Sequence, residues 1–345
     1  MDGDSLHPVR VAVVGAGHVG ATCAYALLLR GIVSEIVLIT RNREHAEGEA
    51  MDLNHGLLFA HPARIWAGDF NDCAQAEIVV IAAGAAQEPG ENRLDLLKRN
   101  AALIEEIIPQ IAQSNPHALL ILVTNPVDVM THIARKISGF PASRVIGSGT
   151  VLDSARLRYL LSQQLQVEPR SVHAFVIGEH GDSQVVVWSL ANVAGIRLDD
   201  YGRHNVGGIH AAGIYAAGIH AGDIQAGGAP AAGISEARKV EIAELTRRAA
   251  YEVIQRKGST YYAIAAGVCR IVEAITRDEH SVLTVSSLVE NLYGLQNVSL
   301  SLPRVVNRRG VTQTLVLPLN PLEQAALEKS AHTIQEAITS LGYNS

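Results

Sequence analysis

The sequence has little cysteine, few aromatic residues and little charge. Its 345 residues include 3 Cys, 4 Phe, 9 Tyr and 2 Trp, and 18% of them are charged. The scarcity of aromatics leaves little for the stacking surfaces of single-strand nucleic-acid binders. A net charge of −6 argues against nucleic acid or an anionic membrane surface as a partner. Cys23, Cys73 and Cys269 lie far apart and match no metal-ligand spacing, which favours a reducing compartment over a disulfide framework.

Long apolar runs are also missing. No run approaches the ~18 residues of a membrane span, and residues 1–10 include acidic side chains without the apolar segment of a signal peptide. We therefore expect a cytoplasmic protein that is not embedded in a membrane. Hydrophobic residues make up 48% of the chain, enough for a large core, and the length predicts about two domains at ~150 residues each.

The N-terminal part of the chain alternates short runs rich in Val, Ile and Leu with helix-length segments. The runs lie at 9–14, 35–40, 77–83 and 118–123. Such runs are typical of parallel strands buried on both faces, and the alternation predicts a Rossmann doubly wound parallel sheet of the α/β class. After a Gly-Ser-Gly-Thr turn the pattern changes to a long helix, short hairpin-like runs and later helices and strands. We predict a coenzyme-binding domain at 1–147 and a mixed α+β substrate domain at 148–345.

Glycine is in excess, and the excess is local. Nine of the 30 glycines lie at 201–233, where the pentads GIHAA, GIYAA and GIHAG begin at Gly208. Isoleucines repeated every five residues would not share one face of a helix, nor would they share one face of a strand. One interpretation is a pentapeptide-repeat solenoid, which needs several stacked units. The favoured one is a flexible low-complexity insertion at about 207–233.

A glycine-rich motif follows the first predicted strand and opens a predicted helix. It reads GAGHVG at 15–20, and its candidate coenzyme-binding residues are Gly15, Gly17, Val19 and Gly20. The first glycine permits a tight turn, the second lets a pyrophosphate approach, and the third allows close helix–strand packing. The helix N-terminus stabilises the phosphates. The motif therefore predicts a dinucleotide site.

The second predicted strand ends without the acidic residue that usually accompanies this motif. Thr40 occupies that position, and Arg41 and Arg43 follow it. A carboxylate there would bind the ribose and repel a 2′-phosphate; threonine does neither strongly, and the arginines can attract a phosphate. We expect NAD as coenzyme, with measurable use of NADP.

Four further motifs follow in chain order. They are AGAAQEPGENR at 83–93, TNPVD at 124–128, GTVLDSAR at 149–156 and IGEHGDS at 177–183. Together they make the chain closely similar to the lactate/malate dehydrogenase family, from residue 9 to about residue 341. The resemblance implies hydride transfer between a nicotinamide coenzyme and a 2-hydroxy acid.

The chemistry of such a reaction explains the residue types in these motifs. Reducing a 2-keto acid requires a proton at the carbonyl oxygen, and histidine titrates near neutral pH. The resemblance makes His180 this acid and base, with Asp153 as its orienting partner. Arg156 projects from the same helix face as Asp153, and its guanidinium suits the substrate carboxylate. Arg93, at the end of a lid segment, is expected to polarise the carbonyl.

The resemblance also assigns residues that line the two ligands. It implies substrate contacts by Asn125 and by Thr260, the latter within KGSTYY at 257–262. It implies coenzyme contacts by Gly84, Ala85, Thr124 and Asn125.

Substrate choice depends on the lid. Malate enzymes of the family carry an arginine where this chain has Gln87, and a second substrate carboxylate would be buried there without a cation. Gln87 therefore favours pyruvate and L-lactate, with malate or another 2-hydroxy acid as the alternative. A non-catalytic scaffold that works through its pentads is a further alternative, disfavoured because His180, Asp153, Arg156 and Arg93 are all retained.

Two residues outside the predicted active site indicate regulation. Arg158 and His173 match positions that bind fructose 1,6-bisphosphate at a subunit interface in bacterial allosteric lactate dehydrogenases. The resemblance therefore predicts activation by this bisphosphate and an active homotetramer.

Overall fold

The computed structural model describes residues 9–85, 93–201 and 234–343. Gln87 and the pentads of the predicted insertion at 207–233 lie outside the described residues. Arg93 begins a helix, but its side chain also lies outside what the structure describes.

Strands and helices alternate along the described ranges. The strands are β1 (Arg10–Val14), β2 (Glu35–Ile39), β3 (Arg64–Ala67), β4 (Ile78–Ile81), β5 (Leu119–Leu122), β6 (Val145–Gly147), β7 (Val172–His173), β8 (Val176–Ile177), β9 (Val185–Val186), β10 (Asn192–Val193), β11 (Ile196–Arg197), β12 (Ser281–Leu292), β13 (Leu295–Asn307) and β14 (Gly310–Thr314). The α-helices are α1 (His18–Arg30), α2 (Arg43–His55), α3 (Arg93–Ser114), α4 (Val127–Ser138), α5 (Val151–Leu165), α6 (Leu198–Tyr201), α7 (Glu236–Lys257), α8 (Tyr262–Thr276) and α9 (Pro321–Ser340).

The N-terminal strands form the parallel sheet that the sequence predicts. Their order is β3-β2-β1-β4-β5-β6, and every pairing among them is parallel. The order reverses between β1 and β4, which places a crevice at the carboxyl ends of these two strands. The Rossmann prediction is confirmed. The strand β3 has too short an apolar run to be predicted from the sequence, since it is four residues long and its first residue is exposed.

The C-terminal strands continue the same sheet instead of forming one of their own. The full order is β14-β13-β12-β6-β5-β4-β1-β2-β3, and the junction is an antiparallel pairing of Ser286 with Gly147. Two small sheets, β11-β10-β7 and β8-β9, stand apart from it. The short hairpin-like runs predicted at 172–177 and 184–190 are therefore only partly a hairpin, because β8 and β9 pair antiparallel whereas β7 pairs with β10.

The hydrophobic core also crosses from one half of the chain to the other. A single cluster contains Leu120 of β5, Ile133 of α4, Leu300 of β13 and Ile334 of α9, all at most 1% exposed. The β8–β9 connection lies beside this cluster, since Ile177 and Val185 belong to it. This shared packing places the loop between β8 and β9 beside the N-terminal half of the chain, at the start of α4. Among the described helices, none is long and apolar enough to cross a membrane.

Candidate active site

The glycine-rich motif forms a tight turn in which two positions, Gly15 and Gly20, have no room for a side chain. Gly15 has φ +98°, and a Cβ atom there would lie 2.4 Å from the Ala83 nitrogen. A Cβ atom on Gly20 would lie 1.8 Å from the Gly15 carbonyl oxygen. Gly17, by contrast, is exposed with open space beside it. The turn thus packs α1 closely on the sheet and leaves its outer side free.

The start of α1 has the properties of an anion site. Gly17 caps the helix without a side-chain hydrogen bond, and the first turn holds no acidic residue. The first amides of a helix have no partner within it and carry a partial positive charge. Val19 in the same turn is half-buried and packs against the core below. The residues present therefore fit the pyrophosphate of a dinucleotide.

Thr40 lies where the expected acidic residue would lie. It directly follows β2, whose last residue, Ile39, accepts a hydrogen bond of 2.8 Å from the Gly15 amide. The nearby arginines are not isolated, because Arg41 is ion-paired with Glu106 and Arg43 with Glu47. All four of these side chains are more than half exposed.

A histidine that the sequence analysis overlooked also faces this turn. His45, in the first turn of α2, has Nε2 2.9 Å from the Ala16 carbonyl oxygen. Its backbone amide donates to the side chain of Asn42, which caps the helix. No motif indicates this contact, since α2 and the glycine-rich turn are separate elements.

The ends of β4 and β5 are joined by buried polar side chains. Thr124 donates to the Ala83 carbonyl at 2.6 Å, and a Cβ atom on Gly84 would lie 3.1 Å from the Thr124 methyl. Asn100, only 3% exposed, accepts from the Ala85 amide and donates to the Asn125 carbonyl, both at 2.8 Å. The structure thus brings together the four candidates that the resemblance assigns to the coenzyme.

Asn100 is a residue that the sequence analysis missed, although a signal was present. It lies on α3 three residues after Leu97 and four before Ile104, which are both buried. A polar residue on the apolar face of a helix needs a partner, and Asn100 has one on each of two strand ends.

The structure places the two residues of the predicted proton-transfer pair in contact. His180 Nδ1 lies 2.5 Å from Asp153 Oδ2, and Arg156 donates to Asp153 Oδ1 at 2.8 Å. Burial alone would raise the pKa of Asp153, but His180 and Arg156 together hold it below its usual value. Burial would lower the pKa of His180, but Asp153 above all raises it overall. The arrangement favours an imidazolium beside a carboxylate, with Nε2 left to exchange a proton with a substrate.

The loop that carries His180 is held by three separate elements. Gly178 exchanges two backbone hydrogen bonds of 2.9 Å with Ser301 of β13. The Glu179 amide donates to Ser330 of α9 at 2.8 Å, and the His180 amide donates to Asp128 of α4 at 2.7 Å. These anchors fix the backbone of the loop independently of the imidazole ring.

Thr260 belongs to a segment that contacts the start of α1. It is half-buried, and the neighbouring Ser259 Oγ lies 3.5 Å from His18 Nδ1. The rings of Tyr261 and His18 are 5.3 Å apart. The predicted substrate segment therefore adjoins the predicted coenzyme turn.

The two candidate regulatory residues lie on neighbouring elements, α5 and β7. Arg158 of α5 donates to the Ala174 carbonyl at 3.1 Å, directly after His173 in β7, and its guanidinium lies 5.7 Å from the Phe175 ring centre. His173 is exposed. Within the described ranges, no group of three or more His, Cys, Asp or Glu side chains has an arrangement that could hold a metal ion.

Comparison with known proteins agrees with this geometry. The family model for the lactate/malate dehydrogenase NAD-binding domain matches residues 9–147. The model for the lactate/malate dehydrogenase alpha/beta C-terminal domain matches residues 150–207 and 203–342. Both halves of the chain therefore match the same family.

Individual relatives match over nearly the whole length. An L-lactate dehydrogenase of Acetivibrio thermocellus is 48% identical over 96% of this chain and 97% of its own. One of Moorella thermoacetica is 47% identical over 97% of this chain and 98% of its own. A crystal structure of a lactate dehydrogenase from a Medee basin deep-sea metagenome library has a TM-score of 0.87 at 40% identity, covering 98% of this chain and 100% of that one. The chain belongs to the lactate/malate dehydrogenase family.

Proposed function

We propose that the chain is an NAD-dependent L-lactate dehydrogenase that interconverts pyruvate and L-lactate. The observation that carries the proposal is the bonded set His180–Asp153–Arg156, which places a proton donor next to a guanidinium. The full-length similarity to L-lactate dehydrogenases supports it.

Each residue of the set has a separate task. Arg156 binds the substrate carboxylate; its side chain is 15% exposed, so that it keeps access to the solvent side. The carboxylate of Asp153 stabilises the protonated form of His180, which donates a proton from Nε2 to the carbonyl oxygen of pyruvate. In the reverse direction, neutral His180 accepts a proton from the hydroxyl of lactate. Asp153 stays ionised throughout and stabilises the imidazolium. A coenzyme held at residues 15–20 would supply the hydride that the carbonyl carbon receives and would accept it in the reverse direction.

The lid residues complete the proposal on sequence grounds. Arg93 polarises the carbonyl when the lid closes, and Asn125 and Thr260 contact the rest of the substrate. Gln87 offers no cation for a second carboxylate, so pyruvate is preferred to oxaloacetate.

The test is a steady-state assay of pyruvate and oxaloacetate, each with NADH and with NADPH. We expect kcat/KM to be highest for pyruvate with NADH, and His180→Asn to remove activity while NADH still binds. Faster reduction of oxaloacetate than of pyruvate would instead support the malate alternative. A folded protein that binds NADH and reduces neither acid would support the alternative of a non-catalytic scaffold.

Use of NADPH is part of the same proposal. Thr40 replaces the acid that would repel a 2′-phosphate, and Arg41 and Arg43 stand next to it. In the assay, a preference for NADH above ~10³-fold, which is over 4 kcal/mol of discrimination, would contradict relaxed coenzyme use.

Regulation is proposed from the resemblance, and one surface feature supports the assembly of several subunits. We propose that Arg158 and His173 bind fructose 1,6-bisphosphate between subunits of a homotetramer in the cytoplasm, with a role in fermentative glycolysis. Leu58 and Phe59 are 91% and 88% exposed, as apolar residues at a subunit contact would be in an isolated chain. Added bisphosphate should lower the KM for pyruvate, and an unchanged saturation curve from pH 5 to 8 would argue against it.

A further inference from the structure

His18, within the glycine-rich motif, is an exposed histidine to which the mechanism above gives no task. It is the first residue of α1 and directly follows Gly17, beside which there is open space. The imidazole therefore lies at the edge of the space that a ligand bound at the start of this helix would occupy.

The ring of His18 contacts the segment directly before α8. Its Nδ1 atom lies 3.5 Å from Ser259 Oγ. The rings of His18 and Tyr261 have their centres 5.3 Å apart, with an angle of 44° between their planes. Among the residues that the structure describes, Nε2 has no hydrogen-bond partner. One nitrogen and the ring are thus oriented by the segment, and the other nitrogen stays available to a ligand.

The charges around His18 favour an anion as its partner. The first turn of α1 contains no acidic residue, and within the described ranges His18 belongs to no ion pair. The facing segment contributes the phenol groups of Tyr261 and Tyr262 and the cation of Lys257, which lies 3.4 Å and 4.1 Å from the centres of these two rings. A cation at a helix N-terminus is unfavourable by itself. An anion bound at the same place would compensate the imidazolium.

We propose that protonated His18 binds the pyrophosphate of the coenzyme through Nε2, so that the coenzyme binds more tightly as the pH falls. The proposal rests on the dehydrogenase function given above and deepens it. It adds a titrating side chain to a contact that the motif is expected to make through backbone amides. A hydrogen bond from a charged donor to a phosphate is stronger than one from a neutral donor, and imidazole changes its charge near neutral pH.

Binding and protonation are linked by this contact. If the imidazolium favours the bound coenzyme, the bound coenzyme favours the imidazolium by the same factor. Formation of the complex should therefore take up part of a proton near neutral pH. His180 could contribute to such an uptake when a nicotinamide ring is bound. ADP-ribose separates the two histidines, because it has the pyrophosphate but no nicotinamide.

The experiment measures the binding of ADP-ribose to the whole chain by titration calorimetry, from about pH 5.5 to 8.5, on both sides of the range in which imidazole titrates. Buffers with different ionisation enthalpies report the proton uptake. His18→Gln keeps a hydrogen-bond donor without a titrating charge, and His18→Lys stays charged throughout. The matched control is His45→Gln, because His45 also faces the turn, with Nε2 2.9 Å from the Ala16 carbonyl oxygen.

The Kd of ADP-ribose for the unaltered protein should rise by about threefold to tenfold from the acidic to the alkaline end, as expected for one exposed charge-assisted contact. His18→Gln should have the weaker, alkaline value throughout and take up no proton. His18→Lys should have the tighter, acidic value throughout. His45→Gln should keep both the rise and the uptake. The melting temperatures should agree within about 2 °C, because the His18 side chain is exposed.

Two results would overturn the proposal. One is a Kd of ADP-ribose that does not change with pH, and the other is the same pH dependence in His18→Gln as in the unaltered protein. Failure of the proposed function is distinguishable from both. A folded protein that binds ADP-ribose with the expected pH dependence and does not reduce pyruvate would keep the histidine contact and lose the dehydrogenase function. A folded protein that binds neither ADP-ribose nor NADH at any pH would lose both.

Discussion

Arg41, two residues beyond the end of β2, is ion-paired with Glu106 on α3. The pair lies next to Thr40, and both of its side chains are more than half exposed. Exposed pairs of this kind contribute at most about 1 kcal/mol, so the guanidinium can exchange its partner at little cost. Glu106 thus competes with any phosphate that approaches Arg41.

We expect Glu106→Gln to raise kcat/KM for NADPH by about twofold to fivefold, because Arg41 becomes available to a 2′-phosphate. The value for NADH should change much less. The matched control is Glu105→Gln on the same helix, whose carboxylate accepts from the Tyr343 hydroxyl instead of an arginine. Equal effects of the two variants, or none, would mean that Arg41 does not select the coenzyme.

The ion pair of His180 and Asp153 should make stability depend on pH within a definite window. The pKa of Asp153 lies below its ordinary value of 3.8, so its contribution is present above that value and lost as the pH falls. The pKa of His180 lies above its ordinary value of 6.5, so its contribution is complete below that value and lost as the pH rises through the raised one. The pair therefore stabilises most between these two ordinary values.

Asp153→Asn should accordingly destabilise the fold most in mildly acidic solution. We expect a loss of about 1–3 kcal/mol there, typical of a buried hydrogen bond to a charged group. The loss should shrink as the pH rises through the raised pKa of His180 and the imidazole becomes neutral. The measurement is the free energy of unfolding by urea for both proteins, from mildly acidic to alkaline pH. A loss that does not shrink at any alkaline pH at which both proteins stay folded would show that the pair is not ionised in the folded state.

Asn100 and Asn115 offer a comparison of a buried and a half-buried asparagine with different tasks. Asn100 joins Ala85 to Asn125 at the predicted site, whereas Asn115, directly after the end of α3, donates to the carbonyls of Cys73 and Ala76. Substituting either by alanine should cost about 1–3 kcal/mol, because buried groups lose their partners.

Asn100→Ala alone should also lower kcat/KM for pyruvate by about tenfold, because the ends of β4 and β5 lose their alignment. Asn115→Ala should keep the catalytic constants within a factor of about two while it lowers the melting temperature. If both variants lose activity in proportion to stability, Asn100 acts on the fold and has no separate role at the site.

The flanks of the pentad region are held together independently of it. Lys239 of α7, 7% exposed, bonds Asp199 of α6 at 2.6 Å and Glu236 at 2.7 Å. Leu198 and Ile234, on either side of the undescribed residues 202–233, belong to one hydrophobic cluster. Both flanks are therefore anchored in the same part of the fold.

Deleting residues 208–232 should leave the free energy of unfolding within about 1 kcal/mol, because closing a shorter loop costs slightly less entropy. Calorimetry of the two proteins measures this. Lys239→Met in the shortened chain is the informative comparison, since it removes the link between the flanks and should lower stability. A deletion variant that fails to fold would show that the pentads are part of the core.

The parts of the site that depend on a local sequence pattern could be predicted from the sequence. Buried strands and the glycine-rich turn follow from short-range rules, and the spacing of Asp153 and Arg156 on one helix places both side chains together. The association of Asp153 with His180 came from the resemblance; the structure places both His180 and Arg156 in contact with Asp153, and their roles in catalysis stay predictions. The domain boundary near residue 147, the lid residues and the coenzyme preference stay predictions.

What the sequence did not reveal are polar contacts between distant elements. Asp128 and His180 are 52 residues apart, and Glu179 and Ser330 are 151 apart. No periodicity or spacing links such positions, because each depends on how whole elements pack. The same reason hid the pairing of β6 with β12, which joins the two halves into one sheet.

That junction has a consequence for synthesis on the ribosome. The strand β6 is made long before β12, so the growing chain has an open sheet edge until the partner strand emerges. An open edge is a place where chains can associate wrongly. Here the edge strand is only three residues long, Val145–Gly147, so that few backbone groups are open to a wrong partner. We expect the shortness of β6 to limit such association while the second half of the chain is still being translated.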